Sequence, residues 1–107
     1  MNDWIEIGSV DDIPRLGART LKGRDGDIAV FRTADDQVFA LRDECPHKGG
    51  PLSQGIVHGH KVTCPLHNWV INLETGEALA PDIGCSGRID VQCQDGHVFL
   101  PSVLLEP

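Results

Sequence analysis

Residues 45–67 read CPHKGGPLSQGIVHGHKVTCPLH. Metal-binding side chains open and close this stretch in two pairs, Cys45 with His47 and Cys64 with His67, and sixteen residues (48–63) lie between the pairs. Each pair carries a proline, Pro46 or Pro65, which fixes its own φ, lacks an N–H and keeps the chain out of a helix. Both pairs therefore belong on stiff loops. Two such loops facing each other would assemble a site of two sulfurs and two nitrogens.

Two kinds of centre fit that donor set. Two thiolates and two imidazoles can hold one tetrahedral zinc ion, or a two-iron cluster in which one iron takes both Cys and the other both His. Zinc modules ordinarily group Cys with Cys and His with His, whereas here each loop supplies one of each.

The pattern Cys-x-His, sixteen residues, Cys-x-x-His resembles that of Rieske-type [2Fe–2S] proteins, with Cys45, His47, Cys64 and His67 in the four ligand places. On that resemblance Cys45 and Cys64 bind the buried iron, and His47 and His67 the outer one. Residues 45–85, CPHKGGPLSQGIVHGHKVTCPLHNWVINLETGEALAPDIGC, are similar more narrowly to the small subunit of assimilatory NAD(P)H-dependent nitrite reductases. Members of that group accompany a large subunit carrying sirohaem, flavin and a [4Fe–4S] cluster that reduces nitrite to ammonium. The ferredoxin component of aromatic-ring dioxygenases shares the four ligands and the size. A non-redox zinc module is the reading from a different class.

Mixed ligation has a chemical consequence. With neutral imidazoles on one iron the oxidised centre is formally about neutral, against about −2 for four thiolates, so it accepts an electron more readily. Potentials of His-ligated clusters lie at roughly −150 to +300 mV, against about −400 mV for plant-type clusters. The Rieske proteins of respiratory complexes add a disulfide between the loops and a hydroxyl after the second His. The matching positions here are Gly50 and Leu66, and Asn68, Trp69, Val70 and Ile71 follow His67 without Ser or Tyr. Fewer donors toward the cluster sulfurs favour the low end of the range. The resemblance thus implies a ferredoxin-like electron carrier with no catalytic residues of its own.

The chain has 107 residues, the size of a single domain (1–107). Sixteen acidic against nine basic residues give a net charge of −7, which argues against nucleic acid or an anionic membrane as partner. An acidic carrier more naturally docks on a basic patch of a redox protein. No apolar run reaches the roughly 18 residues of a membrane span, and the polar start MNDWIEIG lacks the regions of a signal peptide; a cytoplasmic location is expected. In a reducing compartment the four Cys are ligands and thiols, not disulfides.

Alternating apolar residues and Gly, Pro or Asp turns recur along the chain and predict an all-β fold of stacked antiparallel sheets. Residues 4–7 form a first strand, 11–14 a turn, and 19–22 with 28–32 a hairpin. Residues 34–36 turn 28–32 back into 38–42. Residues 56–57 and 61–63 flank Gly59, and 69–73 continue as a strand to a turn at 74–77. Residues 89–93 and 97–100 form a hairpin around Gln94, Asp95 and Gly96. Short turns are expected near 10–13 and 102–105. The ligand loops would form a tip of about 43–68 inserted into a larger β base.

Other residues have plainer readings. His58, His60 and His97 follow no ligand spacing and read as solvated. Gly49, Gly50 and Gly55 permit tight turns and close approach of N–H groups to the cluster sulfurs. Lys48 is a candidate docking charge, and Trp69 reads as core packing beneath the second loop. Cys93 alternates with Ile89 and Val91 as a small core hydrophobe, and Cys85 lies in a Gly-rich loop whose role stays open.

Overall fold

A computed structural model of the chain describes residues 4–24, 26–44, 51–65, 68–79, 84 and 87–105. Among the described residues ten strands pair antiparallel into three sheets, and no α-helix occurs. One sheet has the order β1-β10-β9, built from β1 (Trp4–Ser9), β10 (His97–Pro101) and β9 (Gln92–Gln94). The middle sheet, β2-β3-β4-β8, contains β2 (Gly17–Gly23), β3 (Gly26–Arg32), β4 (Val38–Arg42) and β8 (Arg88–Ile89). The third is β5-β6-β7, formed by β5 (Ile56–His58), β6 (Lys61–Thr63) and β7 (Val70–Asn72). Short 3-10 turns at Val10–Asp12 and Ser102–Leu104 fall where turns were expected.

The middle sheet is covered on both faces. Ile28 and Val30 of β3 join a cluster with Ile13, Val38, Ala40, Ile89, Val98 and Leu100, against the β1-β10-β9 sheet. Their neighbours Ala29 and Phe31 point the other way, into a cluster with Leu41, Leu52, Val57, Val62, Cys64, Ile71 and Leu73. Successive strand residues face opposite sides, so a run buried at every position needs a layer on each side. That is why residues 28–31 read Ile-Ala-Val-Phe without a polar break, and all four are inaccessible to solvent.

Three features depart from the sequence reading. The strand expected over 89–93 is two: β8 pairs with β4, and β9 pairs with β10. Asp90 and Val91 carry the chain from one sheet to the next, and Val91 still packs on the second cluster. Cys93, expected in the core, is exposed. It lies on the edge strand β9 opposite buried Val98, beyond the reach of a facing layer, although the surrounding chain still pushes its thiol pKa up by desolvation. The third sheet also runs to Asn72, past the Asn68 limit read for the tip.

A polar bracket ties this third sheet to the middle one. His60, in the β5–β6 turn, has Nε2 3.2 Å from Asp35 Oδ2 in the β3–β4 turn and Nδ1 3.3 Å from Glu74 Oε2 after β7. Its carbonyl accepts from Leu73 N at 2.9 Å, and its ring lies against Phe39 of β4, centroids 5.2 Å apart. Buried Thr33 accepts from Gln37 N at 3.0 Å and donates to the Asp35 carboxylate, fixing that turn. Neutral imidazole has one N–H and cannot donate to both carboxylates, so the bracket is complete only with His60 protonated. The hydrogen bonds to Asp35 and then Glu74 accordingly raise its pKa. Those from Thr33 and then His60 lower that of Asp35.

Two outcomes follow. Phe31→Ala should cost about 3–5 kcal/mol, the usual range for emptying a buried aromatic site, read as a lower urea midpoint. A raised His60 pKa means that its contribution is complete below about pH 6.5 and lost as pH climbs through the raised value. Lowered Asp35 keeps its part down to about pH 4. Urea unfolding of wild type and His60→Ala, in the same cluster-loading state, should show a stability gap at pH 5.5 that narrows by pH 8.5. High salt should shrink it, since the His60 side chain is 36% exposed. A gap independent of pH would contradict the bracket.

Candidate metal centre

Of the four ligand candidates, Cys64 lies within the described residues. Cys45, His47 and His67 lie outside them, as do Lys48, Gly49, Gly50, Leu66 and Cys85. The described chain defines the bases of both ligand loops.

The first loop leaves β4 and returns at the 3-10 turn Leu52–Gln54. Asp43 closes it: Oδ1 accepts from Ser53 N at 2.7 Å, and Oδ2 from Ser53 Oγ at 2.7 Å. Charge-assisted bonds of this kind are stronger than neutral ones. Asp43 N in turn donates to Asp27 O at 3.0 Å, anchoring the clamp on the middle sheet. Leu52, fully buried, seats the returning chain in the core cluster that contains Cys64.

The second loop is the connection from β6 to β7. Thr63 pairs with Val70 at its mouth, and Cys64 N donates to Trp69 O at 2.7 Å. Cys64 is completely buried, among Leu52, Val57, Val62, Ile71 and Leu73, while Trp69 packs half-buried against the same cluster, as expected of a support beneath the loop. Gly55 lies flat on this hairpin. A Cβ there would collide with the Thr63 carbonyl oxygen, one residue from Cys64, so the backbone that Gly55 lies close to among the described residues is that of β6.

The donor chemistry fits a metal cluster. A buried thiolate in an apolar cluster carries a large desolvation penalty unless a metal balances its charge. Among the described residues the other histidines have different employment. His58 Nε2 is 2.7 Å from Thr63 Oγ1 across the β5–β6 hairpin, and His97 Nδ1 is 2.6 Å from Glu6 Oε2 between β10 and β1. His58 and His97 are exposed, as the sequence suggested, and each, like His60 in its bracket, also has a polar partner on a neighbouring strand or turn. A cavity of about 390 Å³ is lined by Val10, Asp11, Arg32, Asp36, Cys93, Asp95 and Gly96, none of which belongs to residues 45–67. No described helix is long and apolar enough to cross a membrane.

Three elements escaped the sequence reading: the Asp43–Ser53 clamp, the left-handed backbone of Asn68 (φ 58°), and the Asp35–His60–Glu74 bracket. Asn after a ligand pair was a usable signal for the second, because Asn is among the few residues that tolerate positive φ. The clamp and bracket join residues too far apart in sequence to be seen as pairs.

The model of the Rieske [2Fe–2S] domain family matches residues 3–93. The anthranilate 1,2-dioxygenase ferredoxin subunit of Burkholderia cepacia is 35% identical over 97 residues, 90% of this chain and 89% of that protein. Some relatives are far longer: the chain spans 17% of cholesterol 7-desaturase of Hemicentrotus pulcherrimus, at 29% identity over 79 residues. Among solved structures, a chain from the complex of reduced oxygenase and oxidised ferredoxin in carbazole 1,9a-dioxygenase is 25% identical. It superposes with a TM-score of 0.81 over 100% of both chains. A putative small subunit of NADPH nitrite reductase is 24% identical, with a TM-score of 0.80 over 91% of this chain and 96% of that one, a likeness of fold. These matches replace the zinc alternative. The chain belongs to the Rieske [2Fe–2S] domain family, and is an electron-transfer protein whose cofactor is a Rieske-type [2Fe–2S] cluster.

Proposed function

We propose that the chain is the small, cluster-bearing subunit of an NAD(P)H-dependent nitrite reductase, working in the cytoplasm as one domain (1–107) beside a large sirohaem- and flavin-containing subunit. In this reading Cys45 and Cys64 hold one iron, and His47 and His67 the other. The observation that carries the choice of partner is the stretch 45–85, which resembles that subunit through both ligand loops and the segment NWVINLETGEALAPDIGC beyond them. The putative small-subunit structure of the same fold supports it at the level of architecture.

When bound, the cluster supplies a centre that takes up and releases one electron at a time. The chain's own residues hold and shield that centre. Cys64 offers its sulfur from inside the apolar cluster, and Asp43 and Ser53 close the loop that bears Cys45 and His47. The net charge of −7 suits docking on a basic face of the partner.

A second reading has its own observation. The 35% identity to a dioxygenase ferredoxin subunit, over nine-tenths of this chain, favours a free ferredoxin that delivers electrons to an oxygenase.

Two experiments bear on these readings. His67→Ala should bleach the visible spectrum and remove most of the iron and acid-labile sulfide, while circular dichroism still reports a folded β base; an unchanged spectrum would refute the ligand assignment. Affinity capture of the tagged chain from its native cells should retain a sirohaem flavoprotein and NAD(P)H-dependent nitrite consumption. Rescue of a ferredoxin-depleted aromatic dioxygenase, without such capture, would select the second reading.

A further inference from the structure

The β6–β7 connection has to reverse the chain within residues 64–69, between the pairing of Thr63 with Val70 and the bond from Cys64 N to Trp69 O. Pro65 cannot supply a left-handed residue, because its ring holds φ near about −65°. Among the described residues of the connection the left-handed one is Asn68, whose φ is 58°. This is a conformation that glycine enters freely, that Asn tolerates, and that β-branched residues avoid. The Asn68 side chain is exposed, whereas Cys64 is buried and Trp69 half-buried on either side of it. What the residue contributes is backbone direction, one position after His67.

We infer that Asn68 is a positioning residue of the second ligand loop: its left-handed backbone lets one hairpin return Trp69 to Cys64 while, on the proposed assignment, Cys64 and His67 serve the same cluster. The inference rests on the ligand assignment proposed above and adds a residue that is not itself a ligand. It makes a distinctive demand. Glycine should replace Asn68 without loss, alanine should be worse, and isoleucine worse still, an order opposite to that expected of a position needing bulk or strand propensity.

Asn68→Gly, Asn68→Ala and Asn68→Ile can be prepared as full-length chains and loaded anaerobically with iron and sulfide. Asn68→Gly should keep the wild-type iron and sulfide content and EPR g-values. Asn68→Ala should retain less, and Asn68→Ile several-fold less, with a shifted or broadened EPR signal in whatever cluster remains. Amide exchange across β2, β3 and β4 should stay at wild-type protection, separating a misdirected loop from general unfolding. If Asn68→Ile does not fold, the comparison of Gly with Ala decides. Wild-type iron content and EPR in both Asn68→Ala and Asn68→Ile would overturn the inference. So would a Gly variant as depleted as the Ala variant, which would assign the role to the side-chain amide. Wild-type chain that binds no iron would overturn the ligand assignment itself and this inference with it. His67→Ala losing its cluster while every Asn68 variant keeps one would overturn the inference alone.

Discussion

Cys64 belongs to two systems with opposed demands. It is inaccessible to solvent in the apolar cluster that joins the third sheet to the middle one, and on the proposed assignment it is a thiolate ligand. A thiol suits that environment as a small hydrophobe; a thiolate does so only when the charge is balanced at the sulfur, which ferric iron does. Metal binding and burial are therefore coupled at one atom. Metal held by the folded chain alone stabilises the third sheet by linkage, while the first sheet and the far face of the middle sheet are held by a cluster that contains no ligand.

The location of the site follows from the double covering of β3. Because Ile28 and Val30 face one layer and Ala29 and Phe31 the other, the middle sheet can carry a structural layer on one side and, on the proposed ligand assignment, the cluster-bearing layer on the opposite side. The two attachments differ in character. The β1-β10-β9 side is joined by aliphatic packing and by arginine bonds, from Arg19 Nη1 to Ile7 O at 2.6 Å and from Arg32 Nη1 to Val10 O at 3.2 Å, and arginine keeps its charge across the ordinary pH range. The third sheet adds to its apolar contact a polar bracket at His60, whose full set of bonds needs a proton that neutral imidazole lacks. Its attachment thus responds to pH near neutrality in a way that the arginine bonds of the other do not.

How much of this is legible in the sequence depends on the distance over which each feature is encoded. The paired Cys and His lie within a few residues of each other, and the hairpins carry their own turns: Asp95 and Gly96, with φ of 52° and 81°, reverse the chain between β9 and β10. The hairpin was readable because its physics is local, and the Cys and His pairs stand out in the sequence for the same reason. The break between β8 and β9 was not. Alternation from Ile89 through Val91 to Cys93 has the same period whether one sheet or two receive those residues, so it could reveal neither the crossover nor the exposure of Cys93 at an edge. The bracket was hidden for a related reason. His60 lies 25 positions from Asp35 and 14 from Glu74, and a histidine looks the same in sequence whether its carboxylate partners are near or absent.

Loop closure explains why the bases of the ligand loops are tied by groups other than ligand side chains. Bringing the ends of a flexible loop together costs entropy that grows as roughly (3/2)RT ln n, and this cost falls on metal binding if nothing else closes the loop. Asp43 and Ser53 close the first loop through a carboxylate that is not a ligand, and the second is closed by backbone, from Cys64 N to Trp69 O. The closure entropy is then met in folding β4 and the β6–β7 hairpin. The Cys64 amide is committed to the hairpin and on the proposed assignment its sulfur is a ligand, and the division has a consequence for variation along the chain. Clamp residues tolerate only changes that keep their hydrogen bonds or their backbone region. Exposed residues other than Asn68 that take no part in closure or core can change without disturbing the loop bases.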